Sequence, residues 1–381
     1  MKVAPGLALA VLVLTAACSP RPVIPSTPPE EELTLSGFET SFWPRTDFTR
    51  HSVPLSEIIS GGPPPDGIPS IDRPKFLAPA EADWLQDREP VIALELGGEA
   101  RAYPLQILGW HEIVNDEVAG VPVLVTFCPL CNTAIAFDRR LEGRVLDFGT
   151  TGNLRFSDLV MYDRQTHSWW QQITGEAIVG ELTGKKLDFL PASIVSWGDF
   201  RRAFPQGRVL SRDTGYERSY GSNPYVGYDD IGQSPFLYRG PQDPRLPPME
   251  RVVTVSLEGQ DKAYPFSLLA RQKVVNDRVG GVPVVVFFHP GLASPLDRPV
   301  ISQSRDIGAG VVFSPVVGSR KLTFYARGES LWDEETGSRW DILGRATAGI
   351  LAGKALTPVL HGNHFWFAWA PFKPQTVVYQ P

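Results

Sequence analysis

The chain has few cysteines, few methionines and no block of like charge, and each shortage narrows what it can be. Three Met stand against 36 Pro and 35 Gly in 381 residues, which argues for many turns, few long helices and a β-rich fold. No Lys/Arg run forms a phosphate-binding stripe, and a net charge of −6 argues against nucleic acid as a partner. The apolar run Gly6 to Leu14 falls well short of the ~20 residues a membrane span needs. Cysteine is scarcest where it matters. Beyond Cys18 only Cys128 and Cys131 remain, so a closed metal site built from their thiolates alone is excluded and other ligands must complete it.

The leader itself is informative. Lys2, the apolar run and Thr15-Ala16-Ala17-Cys18 read as a signal peptide over 1–17, and the small residues before Cys18 resemble a bacterial lipobox. That resemblance implies cleavage before Cys18, acylation of its sulfur and attachment to the membrane through an N-terminal lipid anchor. Residues 18–37, with five prolines and three acidic residues after Cys18, read as an extended tether. Ser19 behind the acylated cysteine implies an exported protein of the bacterial cell envelope, on the outer membrane and facing the periplasm.

An internal repeat organises the remainder. Tyr103 and Tyr264, Asn115 and Asn276, and Pro122 and Pro283 each stand 161 positions apart, and DRQTHSWW from Asp163 returns as DEETGSRW from Asp333. The expected fold is a β-rich α+β protein: two tandem copies of one mainly antiparallel β unit with short helices. The copies span 90–210 and 249–381. An ordered, Tyr-rich connector over 211–248 joins them, and an irregular segment over 38–89 wraps the first.

Duplication provides a control within one chain. Residues common to both copies, such as the Val-Asn-Asp turn and Asp163 with Thr166 and Ser168, are read as folding devices. No G-x-S-x-G elbow surrounds Ser168, which argues against a serine nucleophile. Residues carried by one copy alone are candidates for chemistry: His111 and Glu112 (Gln272 and Lys273 in the second copy), Cys128 and Cys131 (His289 and Leu292), the Phe148 to Asn153 loop, and Gln171-Gln172. VPVLVTF, CPLCNT and AIAFDR read as strand, knuckle, strand, whereas a thioredoxin C-x-x-C opens a helix. A thiolate pair on such a knuckle suits a transition metal, copper or zinc, with His111 and His289 completing the shell and Glu112 and His167 supporting it.

VTFCPLCNTAIAF, the stretch from FGTTGNLRF to LTGKKL, and the closing FWFAWAPFKP resemble the bacterial family DUF3179 from about Asp66 to the C-terminus. That resemblance implies exported proteins of this architecture and no particular reaction. Three functional classes therefore stand side by side. The first is an envelope lipoprotein with a Cys/His metal centre, with or without redox chemistry. The second is a thiol–disulfide oxidoreductase in which Cys128 attacks and Cys131 resolves. The third is a non-catalytic envelope module whose Tyr and Trp surfaces take a small molecule or protein partner; the competing reading of those Trp is core packing.

Overall fold

The structure, a computed structural model, describes residues 37–381. The expected signal peptide, Cys18 and all of the tether but Gly37 lie outside the described residues. Strands hold 41% of the described residues and helices 10%, so the β-rich reading with short helices holds. Among the described residues no helix is long and apolar enough to cross a membrane.

The first half opens with β1 (Pro90–Leu96), β2 (Glu99–Pro104) and the one-turn helix α1 (Leu105–Leu108). Next come β3 (Ile113–Val118), β4 (Val121–Cys128) and β5 (Thr133–Asp138). A second group follows, β6 (Phe148–Arg155), β7 (Asp158–Asp163), β8 (Trp169–Gln171) and β9 (Glu176–Val179). The chain then returns through β10 (Ala192–Ser196), α2 (Trp197–Ala203) and β11 (Arg208–Leu210). The second half runs β12 (Arg251–Leu257), β13 (Gln260–Pro265), α3 (Phe266–Gln272), β14 (Val274–Val279), β15 (Val282–His289) and β16 (Ala309–Ser314). It ends with β17 (His361–Phe365) and α4 (Trp366–Trp369).

Strand order β10-β1-β2-β11 in one sheet corresponds to β17-β12-β13 followed by Val377–Val378 in another, and β5-β4-β3 corresponds to β16-β15-β14. Turn chemistry sets the registers. The β1–β2 and β3–β4 hairpins turn through Gly97-Gly98 and Ala119-Gly120, all at positive φ, the two-residue turn whose twist matches paired strands. The Phe148 to Asn153 stretch, expected as a loop, is instead strand β6. Its register shifts between Thr150 and Asn153, and a bulge there absorbs Gly152 at φ 76.

One apolar core joins the halves, with Val91, Phe127 and Trp197 in the same cluster as Phe287, Val311 and Phe313. β10 packs on β16, and β17 packs on β5. Segment 38–89 lies on the first half: Ile58–Ser60 pairs with β6, and Trp43 packs edge-on against Tyr162 and Trp169. Trp169, Trp170, Trp197 and Trp366 are fully buried, so these indoles serve the core.

Candidate metal centre

Cys128 ends β4, and Pro129–Cys131 make a single 3-10 turn that Asn132 closes at φ 52. Proline suits the first turn position because its missing N–H would be unpaired there anyway. Asn is among the few side-chain-bearing residues that accept the left-handed region readily. Both cysteines are free thiols buried to 2% and 0% exposure. They face the tip of the β6–β7 hairpin. That turn is made by Phe156 and Ser157 at φ 53 and 64, an unusual conformation for side-chain-bearing residues. It aims the Ser157 carbonyl at the knuckle: the Cys131 thiol donates to it at 3.1 Å and the Cys128 thiol at 3.6 Å.

The same hairpin delivers Asp158 to the sulfurs. Its Oδ2 accepts from Gln171 Nε2 (2.6 Å) and the Ile173 amide (3.0 Å), while Oδ1 is buried without a hydrogen bond. Both sulfurs and one carboxylate oxygen of Asp158 lie within 4.8 Å of one another, so these three groups could together hold a metal ion. Gln172 braces the knuckle by donating to Thr126 Oγ1 (2.8 Å) and to the Thr133 carbonyl (3.1 Å). The Oε1 atoms of Gln171 and Gln172 are also buried and unpaired. Unpaired buried acceptors are costly, and a cation is one way to satisfy Asp158 Oδ1.

Glu112 stands beside this cluster, 8% exposed. Electrostatics tie the acids together. Burial and the nearby Asp158 carboxylate push Glu112 up to about 8. Burial pushes Asp158 up to about 7, although Gln171 and the Ile173 amide pull the other way. Burial raises Cys128, and it raises Cys131 further, with Cys128 and Asp158 adding to it. Arg155 acts on Asp158 from a distance but is paired with Glu57 at 2.6 Å. Two thiols and the Asp158 carboxyl group are thus packed together, with the Glu112 carboxyl acting on them, and among the described residues no Lys or Arg forms an ion pair with either acid.

The connector over 211–248 covers them. Tyr228 donates to the Leu130 carbonyl (3.0 Å), and Ser157 Oγ donates to the Phe236 carbonyl (2.6 Å). The gap left between Phe127, Pro129 and Tyr225 measures about 10 Å³, room for about one water.

Of the residues expected at the centre, the structure brings Cys128 and Cys131 together and sets Glu112 beside them. It does not assemble the Cys/Cys/His/His shell. His111 is fully buried with both ring nitrogens engaged, Nδ1 with the Pro69 carbonyl (2.7 Å) and Nε2 with Tyr220 Oη (2.6 Å). His289 ends β15 in the other half, paired with Ala309 of β16. Neither histidine belongs to the cluster. His167 packs edge-on against Trp43 and Tyr162, and its charged neighbours are Arg45, Asp163 and Asp66, not the thiols. Glu112 acts electrostatically on Asp158 and Cys128 but lies outside the three-group cluster.

Asp158 is the residue that sequence reasoning missed. The signal was available: aligning Asp163 with Asp333 sets Asp158 opposite Gly328, so it too is carried by the first half alone. No curated protein and no solved structure matches the chain. A family model matches residues 65–376, and by it the chain belongs to the family described as protein of unknown function (DUF3179).

Proposed function

We propose that the protein holds a transition-metal ion, zinc in the first place, at Cys128, Cys131 and Asp158, with Glu112 a nearby acid that bears on their charge. One observation carries the reading: two buried thiols and a buried carboxylate within 4.8 Å of one another, with Asp158 Oδ1 left unpaired. Thiolate together with carboxylate suits zinc, whereas Cu(I) favours an all-soft set. Metal binding would replace thiol and carboxyl protons, so affinity rises with pH.

The reading extends to the whole protein as an exported lipoprotein, anchored through Cys18 in the bacterial envelope and facing the periplasm, built of two copies of one β unit. The sequence of the leader supports the first part. The matching strand orders and turns of the two halves support the second.

The test is elemental analysis of protein purified from its native compartment, beside Cys128→Ser and Asp158→Asn. About one zinc per chain is expected in the parent, and a drop of tenfold or more in either variant with the unfolding transition still cooperative. Metal-free parent protein whose two cysteines are oxidised to a disulfide would overturn the reading. It would instead favour a thiol–disulfide couple in which Asp158 takes the proton of Cys131. The proximity of that carboxylate, with a proton affinity near 7, keeps this second reading in play. Burial of both sulfurs beneath the connector favours the metal.

A further inference from the structure

The second half carries chemistry-bearing side chains of its own, away from the cysteines. β10 pairs with β1 so that Ile194 faces Ile92, and β17 pairs with β12 so that Asn363 faces Val253. Since Ile92 and Val253 stand at the shared 161-residue spacing, His361 and His364 of β17 occupy the positions of Ala192 and Val195 in β10. The two imidazoles replace small apolar residues where the halves meet, and both line a cleft of about 370 Å³.

We propose that this cleft binds a planar ring compound carrying a hydrogen-bonding group, held beside Trp369 and His364. Its volume lies within the roughly 300–1,000 Å³ typical of small-molecule sites, which are mostly apolar with a few fixed polar atoms. Ile135, Phe189, Leu190 and Phe372 supply apolar wall. The His364 and Trp369 rings stack nearly parallel, 14° apart with centroids at 5.2 Å, an arrangement that a further planar ring can extend.

His364 is the fixed polar group. It is 2% exposed, and its Nδ1 is hydrogen-bonded at 2.8 Å to Thr133 Oγ1, which also reaches the Cys131 carbonyl at 3.2 Å. That bond across the two halves sets the ring plane. Among the described residues the hydrogen bond of this ring is made by Nδ1, and a Cβ at Gly362 would lie 2.1 Å from Nε2. Glycine there leaves the nitrogen open toward the cleft, where a ligand can satisfy it.

The two imidazoles bring no charge of their own to the cleft. Burial lowers His361 to about 4 and His364 to about 3, so both rings are neutral at pH 7. Lys186 lies over the Phe189 ring of the cleft wall, 5.7 Å from its centroid, and Lys373 is paired with Asp261 at 3.4 Å.

The test uses indole, phenol and benzimidazole as probes, titrated by calorimetry into the full-length mature protein, both metal-loaded and metal-stripped, so that the result stands apart from the metal centre. Saturable one-to-one binding is expected for at least one probe. It should be abolished by Ala192→Phe, which fills the cleft, and weakened at least tenfold by His364→Val, with thermal midpoints confirming folded variants. Absence of saturable binding by all three probes, or binding that both variants leave unchanged, would overturn the proposal.

Discussion

Glu112 and Lys273 share a backbone and differ in side chain. Both sit at positive φ, 58 and 63. Each amide donates 2.7 Å to the carbonyl four residues back, at Leu108 and Leu269. Each carbonyl accepts at 2.8 Å from the strand beyond, at Phe127 and Phe288. The strained turn therefore belongs to the scaffold, and what distinguishes the first half is a carboxyl group where the second places an amine over the Phe288 ring. A consequence in pH follows. Glu112 is raised from 4.5 to about 8, so the folded state binds its proton more tightly than the unfolded chain. The stabilisation is whole below about pH 4.5 and is lost as pH rises to about 8, at up to ~1.4 kcal/mol per pH unit. In chelator-treated protein the urea midpoint should fall from pH 5 to pH 8. Glu112→Gln should flatten that fall without abolishing it, because Asp158 is raised in the same sense. Equal slopes for parent and variant would show that Glu112 does not carry the effect.

At the scale of elements, one turn is built twice. Asp163 accepts from the Thr166 amide (2.6 Å) and Trp170 Nε1 (2.9 Å), while Ser168 Oγ accepts from the Leu182 amide (2.9 Å). Asp333 does the same for Thr336 (2.6 Å) and Trp340 (3.0 Å), with Ser338 holding Leu351 (3.0 Å). Asp163→Ala and Asp333→Ala each leave buried donors unpaired and should each cost about 2–4 kcal/mol, read as matched shifts in denaturant midpoint. A much smaller cost for one of them would mean that the two turns are not equivalent supports. Such devices were legible because a short motif makes its own bonds: the Asp-x-x-Thr spacing contains donor and acceptor together. The hairpins were legible for the same reason, from alternation and turn residues within about twenty positions. The metal centre was only half legible. Cys128 and Cys131 are local to one turn, but Asp158 arrives on another hairpin whose docking depends on Ser157 and the connector. His111 was misassigned because its ring is taken by Pro69 and Tyr220 while the adjacent Glu112 is the residue beside the sulfurs. Sequence adjacency did not fix direction.

At the scale of the whole molecule, closure of the centre depends on both halves. The connector touches the knuckle through Tyr228 and the facing β6–β7 hairpin through Phe236, and next to Tyr228 it is pinned to the second half by Asp229. That carboxylate, fully buried at its side chain, lies 2.6 Å from Arg251 and 2.8 Å from Arg305. Burial works against its charge, yet Arg251, Ser294 and Arg305 together hold it below the usual carboxylate range. Its folded value is depressed, so its stabilisation is present above about pH 3.8 and is lost as pH falls below that. This acid limb is opposite in sign to that of Glu112, and metal-stripped protein should be most stable between the two, near pH 4–5. Asp229→Asn leaves Arg251 buried without its countercharge, a loss of roughly 3–5 kcal/mol, and loosens the cover over the thiols. In metal-stripped protein at pH 7, where the native fold is retained by circular dichroism, the variant should react with a thiol reagent at least tenfold faster than the parent. Thiol labelling at the parental rate would mean that the connector is held over the cysteines by its tyrosines alone and that the ion pair serves only the second half.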